Sequence, residues 1–306
     1  MTPRAWAAFG AVSVLWGIPY YFIKVVVDDG VPPLFLAWAR VVLAAVLLLA
    51  LAWRAGVLPS LRGHGRFIAL YAILEIAIPF PLIGEGERHV SSSLTAILIA
   101  AVPLFVALLA IRFDPSERVT GRRLVGLLVG LLGVVALVGI DVAGERDELL
   151  GAGAVLLAAL GYAAGPMLLN TKLKGLDMRA IMGASLLVAA VVLTPFALAD
   201  PPASTPPTEA FLSIVVLAVL CTGAAFMLFG ILIAEVGPSR ASVITYVAPI
   251  VALALGVLAL DERPGPGSFV GLVLIVAGSW LATRGRKAVA AAEPAPVEPP
   301  REPTYG

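Results

Sequence analysis

The sequence predicts an all-α integral membrane protein whose ten transmembrane helices form two inverted five-helix repeats. Three observations carry that prediction. Of the 306 residues, 60% are hydrophobic and 13% charged, with a mean hydropathy of +1.00; soluble domains run at roughly 45–50% apolar and about a quarter charged. Apolar stretches near twenty residues long recur ten times along the chain. The second half repeats features of the first at a fixed offset. A chain this apolar has more nonpolar surface than one soluble core can hide, so lipid must solvate much of it.

The apolar segments are bounded by charges or by Pro and Gly. Segment 1 covers about 5–27 and ends at Asp28-Asp29-Gly30. Arg4 ahead of it resembles the start of a signal peptide, but the run continues to Val27 without a small-x-small cleavage site, so it reads as a retained helix. Segments 2 to 5 cover about 33–53, 66–84, 91–111 and 121–140, closing at Arg54, the Glu85-to-His89 stretch, Arg112 and Asp141. Segments 6 to 10 cover about 149–170, 179–199, 209–234, 239–260 and 267–283. Residues 288–306 hold five prolines and no apolar face to bury, so this tail is expected to be disordered.

Lys and Arg fix the expected orientation, because cytoplasmic loops carry their excess. With the N-terminus inside, the inner segments hold 16 and the outer ones 4, namely Lys24, Arg88, Arg146 and Arg263. Both termini are therefore expected in the cytoplasm, and the regular alternation supports ten crossings.

The internal repeat is visible residue by residue. An offset of 146 places Ser93 on Ser239, Pro103 on Pro249, Trp16 on Tyr162, Gly17 on Ala163 and Lys24 on Asn170. An offset of 145 places Glu117-Arg118 on Glu262-Arg263, Val125-Gly126 on Val270-Gly271 and Gly133 on Gly278. Residues 1–145 and 146–287 thus read as copies of one five-helix unit. An odd unit repeated in tandem enters the membrane from opposite sides, which is the geometry of alternating access.

In the order and duplication of Leu15-Trp16-Gly17, the Pro103 and Pro249 segments, Glu117/Glu262 and Gly126/Gly271, residues 1–287 resemble the EamA family of the drug/metabolite transporter superfamily. The resemblance implies ten helices, both termini cytoplasmic, a bacterial-type plasma membrane, and export or uptake of small metabolites, often amino-acid-like.

Several residues are candidates for a substrate cavity. Ser13, Trp16, Gly17, Tyr20 and Lys24 share one face of segment 1, and Tyr162, Pro166 and Asn170 repeat it in segment 6. Polar and aromatic groups at membrane depth suit a hydrated cavity; the competing reading makes Trp16 and Tyr20 packing aromatics and lets Lys24 snorkel to the interface. Segment 9 carries Ser242, Thr245, Tyr246 and Pro249, and segment 4 carries Ser92, Thr95 and Pro103. Matched Pro-interrupted helices point to a binding site, although each Pro is also explained by a structural kink. Arg40 and Glu75 stand roughly 10 and 13 Å below the outer surface at 1.5 Å per residue. A lone charge so deep costs about 2.5–3.5 kcal/mol, so the two are expected to pair, either to hold segments 2 and 3 together or to bind substrate and protons. Glu85, Glu87 and His89 read as a solvated outer loop, with His89 a titratable alternative. Gly126-x-x-x-Gly130 and Gly267-x-x-x-Gly271 offer close-approach grooves, for packing within the chain or in a homodimer.

Other functions find less in the sequence. A net charge of +1 leaves no basic stripe for nucleic acid. Cys221 is the only cysteine, and His64 and His89 are far apart, so no disulfide within the chain, no metal and no cofactor is called for. An intramembrane lipid-acting enzyme would need a nucleophile, a metal or paired carboxylates at depth, and Glu75 stands without such a partner. A non-transporting receptor or scaffold remains the alternative to a secondary transporter. The expected partners are a small-molecule substrate, membrane lipid and a coupling proton or exchanged solute, in a monomer or homodimer.

Overall fold

The computed structural model describes residues 2–113, 121–142, 144–237 and 241–283. Glu117, Arg118, Ser239, the 288–306 tail and the side chains of Pro166 and Asn170 lie outside the described residues. Among the described residues all regular structure is helical. Eight helices are long and apolar enough to cross a membrane, and two more, Ile244–Ala259 and Pro266–Ala282, are apolar but shorter.

The first span is broken in two. Helix α1 (Pro3–Gly17) is capped by Thr2, whose hydroxyl accepts from the Ala5 amide over 3.1 Å. Helix α2 (Pro19–Asp28) starts at Pro19, which has no N–H to continue the ladder. Helix α3 (Pro33–Arg54) forms the second span. The third combines α4 (Gly65–Ala72), a π-helical turn at Ile73–Ala77 and α5 (Pro79–Glu87). Pro79 lacks a donor and its ring crowds the carbonyl four residues back; widening the turn, with Ile78 N–H on the Ile73 carbonyl at 3.1 Å, relieves both. Helices α6 (Ser92–Ile99) and α7 (Val102–Phe113) follow, broken at Ala100-Ala101 just before Pro103.

Then come α8 (Arg122–Asp141), α9 (Arg146–Thr171) and α10 (Met178–Ala199). The next span joins α11 (Thr208–Ala218), a second π-helical turn at Val219–Ala224 and α12 (Ala225–Val236). Helices α13 (Ile244–Ala259) and α14 (Pro266–Thr283) end the described chain. The two π-turns begin 146 residues apart, at Ile73 and Val219. The second holds no proline; there the Thr222 hydroxyl donates to the Leu217 carbonyl over 2.8 Å and holds the wide turn open. The matched prolines act differently: Pro103 opens α7 after a break, whereas Pro249 lies inside α13.

Helices at matching positions of the two halves pack on each other. In α8 and α14, Gly126 faces Gly278 and Ala282, Gly133 faces Ile275, and Leu137 faces Gly271, so the helices run antiparallel. The glycine pattern therefore serves packing within the chain: an added Cβ at Gly278 would collide with the backbone of Gly130. Helices α3 and α10 also run antiparallel, with Trp38 Nε1 donating to Thr194 Oγ1 at 3.0 Å near one end and Gly183 against Leu48 and Leu49 near the other. Side chains such as Val46, Leu132 and Leu258, 67%, 62% and 81% exposed, cover the outside with apolar surface suited to lipid.

Candidate functional site

A polar cluster forms where α2, α3, α5, α9 and the second π-turn approach one another. Its centre is Arg40 on α3, only 8% exposed. Its Nε donates to Thr222 Oγ1 over 3.0 Å, and its guanidinium lies over the Phe80 ring, 4.1 Å from the centroid. Tyr162, Cys221, Tyr20 and Glu87 lie within electrostatic range of this cation. The Thr222 hydroxyl accepts from Arg40 while donating to Leu217, so the π-turn of one half presents an acceptor to a charge carried by the other.

The expected Arg40–Glu75 ion pair is not formed. Glu75 lies in the first π-turn, one carboxylate oxygen buried without a hydrogen-bond partner. Its neighbours are Tyr71, Tyr162 and the bare Cα of Gly165, where a side chain would strike the carboxylate. Arg40 escapes the need for a counter-ion because a hydroxyl and an aromatic face receive it. Tyr162 is the residue common to both charges.

Glu87 was hidden by its place in the sequence. The Gly84-Glu85-Gly86-Glu87 run reads as a polar loop, but α5 continues through it. The helix rotation sends the two acids to opposite sides. Glu85 stays at the surface, with Arg88 at 3.2 Å and His89 at 3.3 Å. Glu87 turns inward, is 0% exposed, and neither carboxylate oxygen has a partner. Gly86 permits this by letting α9 approach closely at Gly151 and Val155. Lys24 bridges inward from α2: its Nζ donates to the Glu87 carbonyl at 2.8 Å and pairs with Asp28 at 3.0 Å.

The other candidates lie elsewhere. Trp16 packs against Phe226 and Phe229 of α12, with ring centroids 5.5 and 4.8 Å away, and belongs to an aromatic contact rather than to the Arg40 group. Thr95 on α6 is fully buried, its hydroxyl unpartnered. Thr245, at the start of α13, donates locally to the Ser242 carbonyl over 2.7 Å, and Tyr246 follows it, part-buried. Helices α6 and α13 pack together. The junctions at the starts of α6 and α14 are held by capping carboxylates. Glu262 accepts from the Ser92 and Ser93 amides at 2.7 and 3.0 Å and from the Ser93 hydroxyl. Asp141 accepts from the Gly267 and Ser268 amides at 2.8 and 2.6 Å. Between these caps lies a cleft of 210 Å³ lined in part by His89, Glu148 and Arg263.

A helical bundle with this much apolar exterior and a charged, tyrosine-lined interior defines a multi-pass membrane protein with a polar site at depth. The EamA-like transporter family model matches residues 5–139 and again 149–284, and the chain belongs to that family. It is a membrane transporter, not an enzyme, and its cargo is a small molecule. Among similar proteins is a probable amino-acid metabolite efflux pump of Escherichia coli K12, 30% identical, the match covering 91% of this chain and 95% of that one. A probable terminal-alkyne amino-acid exporter of Streptantibioticus cattleyicolor is also 30% identical, over 93% and 94%. The inner membrane transporter YedA of E. coli K12 is 30% identical over 91% and 90%. A crystal structure that covers 91% of this chain and 97% of its own superposes with a TM-score of 0.65 at 21% identity, which speaks for the fold alone.

Proposed function

We propose that this chain is a secondary transporter that exports amino-acid-like metabolites by alternating access. In this reading ten helices cross the membrane as inverted units, residues 1–145 and 146–287, with both termini cytoplasmic. The antiparallel packing of α3 on α10 and of α8 on α14 supports inversion, as do π-turns offset by 146 residues. The names of the relatives support an amino-acid-like cargo moving outward.

One observation carries the reading of the site: Arg40 is a buried cation whose only hydrogen-bond partner among the described residues is neutral. Its remaining N–H donors form a planar fork suited to a carboxylate. The cargo carboxylate binds there, and Tyr20 and Tyr162 line the site. Thr222 joins Arg40 to the other half, so occupancy is felt by both units. Glu75, beyond Tyr162, is placed to receive the cargo's ammonium end. Thr95, Asn170, Thr245, Tyr246 and Trp16 belong to the wider lining or to its packing.

The test is counterflow of radiolabelled amino acids in proteoliposomes, comparing wild type with Arg40→Gln and Arg40→Lys. Saturable counterflow for carboxylate-bearing cargo, lost in Arg40→Gln and weakened in Arg40→Lys, is expected. Equal flux in all three proteins would remove Arg40 from the site, and absence of flux in wild type would remove the transport reading for the compounds tried.

A further inference from the structure

We propose that Glu87 is the proton-binding residue of this transporter, and that the helices close over it only when it carries a proton. The proposal deepens the transport reading above and rests on it for its coupling role, though not for proton binding itself.

The argument starts from geometry. Glu87 ends α5, fully enclosed, and both its carboxylate oxygens are buried without a hydrogen-bond partner. An ionised carboxylate in a low-dielectric interior needs a cation or several donors to replace its water. The groups that face it do not serve in that way. From α2 come Tyr20, Lys24 and Asp28; from α3 comes Arg40; from the loop before α14 comes Glu262. Lys24 places its Nζ on the Glu87 main-chain carbonyl and on Asp28, not on the carboxylate. Arg40 is turned to Thr222 and Phe80. Asp28 and Glu262 are acids and oppose a further negative charge, and Glu262 is already engaged in capping α6. Helix α9 meets α5 at the neighbouring Gly86, through Gly151 and Val155, which bring no charge.

Position supplies the link to transport. Glu87 lies within electrostatic range of Arg40 and adjoins the Lys24–Asp28 pair, whose Asp28 side chain is 56% exposed. Parting α2 from α5 would open Glu87 toward that exposed end. Opening allows the proton to leave as Glu87 ionises in water; closing requires it to be rebound. The only bond made or broken is the carboxyl O–H, and the proton passes to and from solvent. A closed state that demands a bound proton ties each passage of the carrier through it to one proton.

Two measurements test this. The first is the infrared spectrum of the purified protein at neutral pH, wild type minus Glu87→Gln. A protonated carboxylic C=O band present in wild type and missing in the variant is expected; no such difference overturns the proposal whether or not a cargo has been found. The second is cargo flux in proteoliposomes with and without an imposed pH gradient. Wild type is expected to respond to the gradient, and Glu87→Gln to retain measurable counterflow with the response lost. Glu85→Gln, at the surface of the same helix, is expected to behave as wild type. A Glu87→Gln protein that still responds to the gradient, or one that loses counterflow and gradient response together, overturns the coupling role. Absence of wild-type flux beside a lost carboxyl band would leave proton binding standing and remove the proposed cargo class for the compounds tried.

Discussion

Arg40 and Thr222, 182 residues apart in sequence, are joined by one hydrogen bond of 3.0 Å from guanidinium Nε to hydroxyl. That bond connects α3 of the first half to the π-turn of the second. It also places the buried cation over Phe80 rather than against a carboxylate. Thr222→Val removes the acceptor for Arg40 and the donor for the Leu217 carbonyl while keeping the side-chain shape. A buried polar group left unpaired costs about 1–3 kcal/mol. Thermal melting in detergent is expected to fall accordingly, and substrate affinity to weaken because the guanidinium is no longer held in place. A variant that melts with wild type would show that this bond contributes nothing net.

The seam between α8 and α14 makes a sharper stability prediction. Gly278 meets the backbone of Gly126 and Gly130 so closely that even one methyl group must force the helices apart. Gly278→Ala is expected to destabilise by about 1–3 kcal/mol as overpacking, whereas Gly139→Ala on α8, with nothing within 4 Å of the added carbon, is expected to be neutral or mildly stabilising. Fluorescence-detected size-exclusion after heating distinguishes the two. Equal behaviour would mean that the seam is looser than the packing requires.

Much of this architecture was legible because hydropathy and helix breakers act locally. Each apolar run became a helical segment, and the glycines of α8 and α14 announced close approach. Neither π-turn is anticipated: the first is tied to Pro79 only once Ile78 N–H is seen on the Ile73 carbonyl, and the second has no proline, a hydroxyl reaching five residues back leaving no pattern to read. The site was harder. Arg40 and Glu75 were matched because buried charges usually pair, yet Arg40 found a neutral partner from the other half of the chain, a contact no local spacing encodes. Glu87 reads as loop because it clusters with Glu85 and His89 just past an apolar run; in the structure α5 continues through it, and the adjacent glycines serve the contact of α5 with Pro33 and α9. Trp16, read as a candidate for the cavity, joined an aromatic contact with α12.

A pH prediction follows from the start of α10. Asp177 caps the helix, accepting from the Arg179 amide at 2.9 Å, and pairs with the Arg179 side chain at 2.6 Å. That side-chain hydrogen bond, foremost, holds the Asp177 carboxyl below its ordinary value. A depressed folded-state pKa gives stability that is present above the unfolded value, about 3.9, and fades as acid protonates the folded carboxyl. Asp177→Ala is therefore expected to lower stability by about 1 kcal/mol at neutral pH, the usual worth of an N-cap, and to differ little from wild type in strong acid. A difference independent of pH would assign the loss to packing rather than to the carboxylate.

Glu75→Gln separates a charge partner from a bystander. If Glu75 neutralised Arg40, removing its charge would strand a buried cation and cost about 3–5 kcal/mol. In the structure Arg40 rests on Thr222 and Phe80, and the buried oxygen of Glu75 has no partner to lose. The variant is therefore expected to fold and melt within about 1 kcal/mol of wild type, the ordinary cost of a single substitution. Transport should report differently, because Glu75 faces Tyr162, which also lies in the field of Arg40. Reduced affinity for ammonium-bearing cargo, with flux of a carboxylate lacking the ammonium preserved, is the expected pattern in counterflow. A large loss of stability would instead restore the Arg40–Glu75 pair as a feature of another conformation of the transport cycle.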